Sequence, residues 1–254
     1  FAAGFYNVIY TDGNGCSSTS QGASLSDPTP PPTPTISANG LTTFCEGGFV
    51  QLTSSATNGN SWSTNATATT ITVTTTGSYG VTITENGCSA TSVPFNVVVN
   101  PNPTVPSISA NGSTSLCPGQ SVVLSSSYVS GNEWNTLETT QDITTSTTGT
   151  YEVVFTDANG CSSQVASISV VMNQNPVAPV IGLSGPSSIC DGESIILSTT
   201  YPDGLEWSTL ETTTSIVVNT AGTYDLTYTH PNGCSATSNP VTIFVNALPS
   251  VNAG

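Results

Sequence analysis

No lysine and no arginine occur anywhere in the 254 residues, and His230 is the only histidine. An average chain of this length carries roughly 30 basic residues. Their absence beside 15 acids gives a formal charge of −15 at neutral pH. A chain with no cations of its own cannot neutralise phosphates, so nucleic acid and anionic membrane surfaces are excluded as natural partners. The missing lysine also excludes Schiff-base chemistry, lysine nucleophiles and lysine-to-asparagine isopeptide bonds. One histidine leaves Ser-His-Asp, Cys-His and His-cluster metal mechanisms with a single candidate residue. No apolar run approaches the ~18 residues that span a bilayer, so no direct membrane insertion is expected. Phe1 opens neither a signal peptide nor an initiator methionine, which reads as a mature or excised piece. The same compositional gap makes a direct prediction: denatured, reduced protein survives trypsin uncut, and any tryptic fragment on a gel would contradict it.

What is present is a repeat. Cys45, Cys117 and Cys190 are 72 and 73 residues apart, and Cys16, Cys88, Cys161 and Cys234 are 72, 73 and 73 apart. Trp62, Trp134 and Trp207 stand 17 residues beyond the first series, and Tyr79, Tyr151 and Tyr224 stand 17 further on. Tyr6 is the matching tyrosine of a truncated copy. Such self-similarity marks tandem modules. The expected domains are the C-terminal part of a repeat at 1–27, a proline-rich linker at 28–34, complete repeats at 35–102, 104–174 and 177–248, and the start of the next at 249–254. The segments PTPPPTP, PNPTVP and PVAP favour extended geometry and are expected to space the modules semi-rigidly.

Within a repeat the apolar period is two, as in Val50 and Leu52, in Tyr79, Val81 and Ile83, and in Phe95, Val97 and Val99. That is the period of half-buried strands. Asn-Gly pairs at Asn86, Asn159 and Asn232 predict hairpins between the last two strands, because both residues tolerate positive φ. Several short strands per ~70 residues without a helical period predict an all-β chain of antiparallel sandwiches.

The residues Gly47, Gly119 and Gly192, the three tryptophans, Gly77, Gly149 and Gly222, and the three tyrosines recur in one order over essentially the whole chain. That order resembles the immunoglobulin-like fold, which implies core anchors at Trp62, Trp134 and Trp207 on the third strand and at Tyr79, Tyr151 and Tyr224 at the start of the sixth. Antibody domains place a core cysteine two residues after that tyrosine. Here Val81, Val153 and Leu226 stand there, and the cysteines lie in the contexts FCEGG, LCPGQ, ICDGE and NGCS. The combination resembles the tandem Ig-like or PKD-like repeats of giant surface adhesins in gliding bacteria that use type IX secretion. An extracellular, disulfide-bonded chain is what the resemblance implies. Within-repeat pairing would join Cys45 to Cys88, Cys117 to Cys161 and Cys190 to Cys234. In an immunoglobulin-like topology those positions lie at opposite poles, ~20 Å apart, whereas a disulfide needs a Cα separation near 6 Å. Inter-repeat pairing of Cys45 with Cys161 and Cys117 with Cys234 is therefore favoured, leaving Cys16, Cys88 and Cys190 to partners outside the chain. Within-repeat pairing stays open as the alternative.

The other chemistry-bearing residues read as surface. Four places before the hairpin cysteine stand Asp12, Thr84, Asp157 and His230, too variable for a calcium loop, and they are expected to be solvated turn residues. Glu133, Glu138, Glu206 and Glu211 recur in only two repeats, which suits strand-edge acids that discourage pairing better than a duplicated glycosidase pair. The threonine tract ATATTITVTTT suits exposed strand faces. No cofactor and no metal is expected. The expected role is a non-enzymatic stalk or filament segment of a large secreted adhesin. Glycan-binding accessory modules of a secreted polysaccharide-degrading enzyme are the alternative. Expected partners are neighbouring repeats of the same chain, with other fibres or surface glycans outside it.

Overall fold

A computed structural model of the chain describes residues 3–250. The first two residues of the partial repeat, and 251–254 of the expected next one, lie outside the described residues. Among the described residues there is no helix, and so none long and apolar enough to cross a membrane. The chain forms two compact units, Phe1–Pro103 with Asp157–Ser162, and Thr104–Thr156 with Ser163–Gly254.

The first unit contains the repeat at 35–102. Its strand Val50–Ser54 buries residues 50, 52 and 54 and leaves 51 and 53 half-buried, as the two-residue period requires. Ile36–Ala38, Val50–Ser54 and Thr70–Val73 form one antiparallel sheet. In the facing layer Thr43–Cys45 runs parallel to Phe95–Asn100, which pairs antiparallel with Gly77–Tyr79. Past Gly80 the chain continues as Val81–Glu85, flanked by Asn60–Trp62 and the hairpin strand Cys88–Thr91. Between the layers, Trp62 packs with Val50, Leu52, Ile71, Val73, Tyr79, Val81 and Val97. The first strands thus divide between the two layers, and one of them runs parallel to the last strand. This is an immunoglobulin-like sandwich. The partial repeat contributes two short ribbons, Gly4–Tyr6 with Ala23–Leu25 and Ile9–Thr11 with Ser17–Thr19, exposed throughout.

The second unit contains two further sandwiches of the same strand order. In one, Ile108–Ala110, Val122–Ser126 and Asp142–Thr145 face Ser115–Leu116, Ala166–Met172, Gly149–Phe155 and Asn132–Trp134. In the other, Gly182–Leu183, Ile195–Ser198 and Ser215–Val218 face Ser188–Cys190, Val241–Asn246 and Gly222–Tyr224, with Leu205–Trp207, Leu226–Thr229 and Ser235–Thr237 continuing that layer. Val81, Val153 and Leu226, at the position of the antibody cysteine, are each 0% exposed.

Two local devices explain the recurring motifs. The Tyr79, Tyr151 and Tyr224 hydroxyls donate to the carbonyls of Thr75, Thr147 and Thr220 at 2.8, 3.1 and 3.0 Å, the corner bond of this fold. The ring lies back over the glycine two residues earlier, where a Cβ at Gly77 would come within 3.3 Å of it. The Trp62, Trp134 and Trp207 Nε1 groups donate to the carbonyls of Ala68, Thr140 and Thr213 at 2.7, 3.0 and 2.8 Å. The buried indole therefore leaves no unmet donor.

The turn after each tryptophan needs one left-handed residue: Asn65 at φ 64°, Leu137 at 75° and Leu210 at 74°. Asparagine visits that region readily, and leucine pays a steric cost there of about 1 kcal/mol. Leu137 is also 84% exposed, so its side chain recovers little by packing. Leu137→Asn is expected to raise the stability of its repeat by about 1 kcal/mol. A denaturation midpoint that stays put or falls would contradict this.

Candidate functional site

The cysteine-bearing turns are the recurring sites. At Asn86 and Gly87, φ values of 49° and 83° make a two-residue hairpin in which Glu85 faces Cys88. The other hairpins are one residue longer. Asp157 N–H donates to Cys161 O at 2.9 Å and Gly160 N–H to Asp157 O at 3.1 Å, and only the glycine takes positive φ, at 79°. Asn159 and Asn232 thus depart from the expected turn, with Gly160 and Gly233 supplying the left-handed residue alone. The extra residue also explains why one spacing in the hairpin series is 72 and the others 73.

The residue opening each longer hairpin is not an idle solvated group. Asp157 Oδ1 accepts from the backbone N–H groups of Asn159 and Cys161 at 2.9 and 2.8 Å. These bonds, the Cys161 N–H first, hold its carboxyl below the ordinary aspartate range. Asp12 makes the same pair of bonds to Asn14 and Cys16, and His230 Nδ1 accepts from the Asn232 N–H at 3.2 Å. An acceptor at this place shapes the turn that presents the cysteine, and a neutral imidazole serves as well as a carboxylate. That is why the residue type varies.

Cys45 ends its strand, and its carbonyl accepts from the Gly48 N–H at 3.0 Å in a turn that holds Gly47 at φ 91°. The structure joins Cys45 to Cys161 and Cys117 to Cys234, both at a Cα separation of 5.5 Å. Each bond runs from the first-series cysteine of one repeat to the hairpin cysteine of the next. Cys161 and Cys234 are 0% and 1% exposed. Cys16 and Cys190 are exposed free thiols, and Cys88 is half-buried with its thiol 3.4 Å from the Pro28 carbonyl. A thiol reagent is expected to label Cys16 and Cys190 rapidly and Cys88 slowly in the native, unreduced chain. Labelling of any of the other four before reduction would contradict the pairing.

Tyr128 and Tyr201, which do not stand out in the sequence, tie down the linkers. Tyr128 Oη donates to Thr104 O at 3.2 Å and stacks on Phe155 at 3.7 Å between ring centroids. Tyr201 Oη donates to Val177 O at 3.0 Å. Their only signal is a tyrosine 11 residues beyond Cys117 and Cys190, replaced by Ala56 in the first complete repeat. Pro34, Pro106 and Pro179, the last proline of each linker, are buried, so the linkers end docked on the module they enter.

Glu133 and Glu206 are exposed on strands at the end of their sheets, and Glu138 and Glu211 are exposed beyond the tryptophan turn. Thr82 with Thr91 and Thr227 with Thr237 share cross-strand hydroxyl bonds of 2.9 and 3.0 Å. Part of the hydroxyl bonding capacity is thus used within the sheet. Among the described residues no group of three or more His, Cys, Asp or Glu is placed to hold a metal ion.

Strand order, tyrosine corners and cysteine bonds together define a tandem array of immunoglobulin-like repeats cross-linked from one repeat to the next. No protein-family model and no curated protein sequence matches the chain. Among solved structures it is similar to the crystal structure of Down Syndrome Cell Adhesion Molecule (DSCAM) isoform 1.30.30, N-terminal eight Ig domains, at 15% identity. The match covers 98% of this chain and 45% of that one, with a TM-score of 0.23. The fold assignment rests on the strand order.

Proposed function

We propose that this chain is a segment of the stalk or filament of a large secreted cell-surface adhesin, holding an adhesive tip away from the cell for attachment, gliding or biofilm growth. One observation carries the reading: disulfides join successive repeats rather than bracing each repeat internally. A bond between modules adds little to the chemistry of either, but it transmits tension and keeps their order. Persistent disulfides also belong to oxidising, extracellular surroundings. The recurring side chains are core anchors, turn acceptors and linker ties, which suits a role without catalysis. An uncharged-to-acidic surface without cations resists clumping at high local density.

The test is immunogold labelling of intact producing cells with an antibody to this chain, alongside a strain lacking the coding region. Label on surface filaments, lost together with adhesion in the deletion strain, is expected. Label confined to the cell interior would overturn the reading. Sedimentation of the purified chain with insoluble polysaccharide would favour the accessory-module alternative.

A further inference from the structure

The two disulfides interleave. Cys117 lies inside the loop closed by Cys45 and Cys161, and Cys161 lies inside the loop closed by Cys117 and Cys234. Paired loops of this kind do not act independently when the chain is pulled. Without disulfides, the backbone between Cys45 and Cys234 offers 189 residues of length (45 to 234). With both bonds present, the shortest covalent route crosses to Cys161, returns along the backbone to Cys117 and crosses to Cys234, using 44 residues (117 to 161). Losing Cys117–Cys234 leaves a route of 73 residues (161 to 234), and losing Cys45–Cys161 leaves one of 72 (45 to 117).

We propose that this interleaving makes the array a fault-tolerant extension limiter: rupture of either bond releases little chain, and only rupture of both releases the rest. The first loss frees 28 or 29 residues, the difference between 44 and 72 or 73, which is about 100 Å at full extension. The second frees the remaining 117 or 116 residues, about 400 Å. The asymmetry does not depend on which bond goes first. Within-repeat bonds would behave otherwise, each hiding 43 or 44 residues and each releasing about 150 Å independently. A fibre under load meets occasional bond scission by environmental thiols, and the interleaved arrangement keeps its length nearly constant through a first break.

The inference rests on the tension-carrying role proposed above, but its test is made on the isolated chain and does not depend on cellular location. The oxidised chain, with Cys16→Ser, Cys88→Ser and Cys190→Ser to prevent thiol exchange, is tethered by its ends and held unfolded at constant force. Dithiothreitol is then added, and each disulfide is reduced to two thiols as the reagent closes to its cyclic disulfide. The expected record is a short step of about 100 Å followed by a long step of about 400 Å, never the reverse. Two or three equal steps, a long step first, or no step would overturn the proposal. As a second readout, variants with Cys45→Ser plus Cys161→Ser, or Cys117→Ser plus Cys234→Ser, each give only the long step. A step of any other length in either variant would equally overturn it. A null result in the cell-labelling experiment would leave these step lengths untouched, so the two readings fail separately.

Discussion

Replacing Trp134 by alanine is expected to destabilise the second complete repeat by about 3–5 kcal/mol. The indole is 1% exposed and packs in a cluster with Leu124, Tyr151, Val153 and Val170. It sits between two sheets whose separation the surrounding strands maintain, so the lost volume persists as a cavity. Truncation also removes the Nε1 donor and leaves the Thr140 carbonyl without that partner. A repeat of about 72 residues holds roughly 4–11 kcal/mol in total at typical per-residue stability. The change therefore takes a large share of it. Denaturant titration followed by the remaining fluorescence, with peptide-resolved hydrogen exchange, checks the magnitude and the place. Protection should fall first between 104 and 174. A loss below about 1 kcal/mol would mean that the recurring tryptophan is not the keystone of its core.

Substituting Cys117 and Cys234 together by serine is expected to cost about 2–5 kcal/mol. The bond spans 117 residues, near the length at which the chain-entropy model assigns about 4.7 kcal/mol to loop closure. The other disulfide does not shorten the loop, because the detour through Cys45 and Cys161 is longer than the direct route. Cys190→Ser is the matched control: its thiol is exposed and free, so its replacement should change stability by less than about 0.5 kcal/mol. Guanidinium unfolding of the three proteins separates these outcomes. Equal midpoints for all three would mean that the inter-repeat bond leaves the folded state no better off.

Strand alternation is legible in the residues themselves because burial on one face of a sheet repeats every second position, and the chain writes that rule three times over. The glycine before each tyrosine is legible as a recurrence, although its cause, a ring folded back over a bare Cα, emerges only from the folded chain. The residues that open the hairpins read as solvated in the sequence and prove to be turn acceptors in the fold. Their variability hides a shared task, because aspartate and histidine can both accept the same turn N–H. Tyr128 and Tyr201 are inconspicuous because they recur only twice, and a linker carbonyl leaves no trace in the residue that supplies it.

By itself the sequence determined the repeat length, the all-β class and which residues face the core, since each follows from composition and local periodicity. It also determined that lysine and arginine chemistry play no part. The pairing of the cysteines was a matter for tertiary structure, because both schemes respect the same spacing and only the position of two turns in space distinguishes them. The same holds for the docked linkers. A proline-rich segment is extended by its own stereochemistry, but whether Pro34, Pro106 and Pro179 are wet or buried depends on a surface assembled from strands far away in the chain.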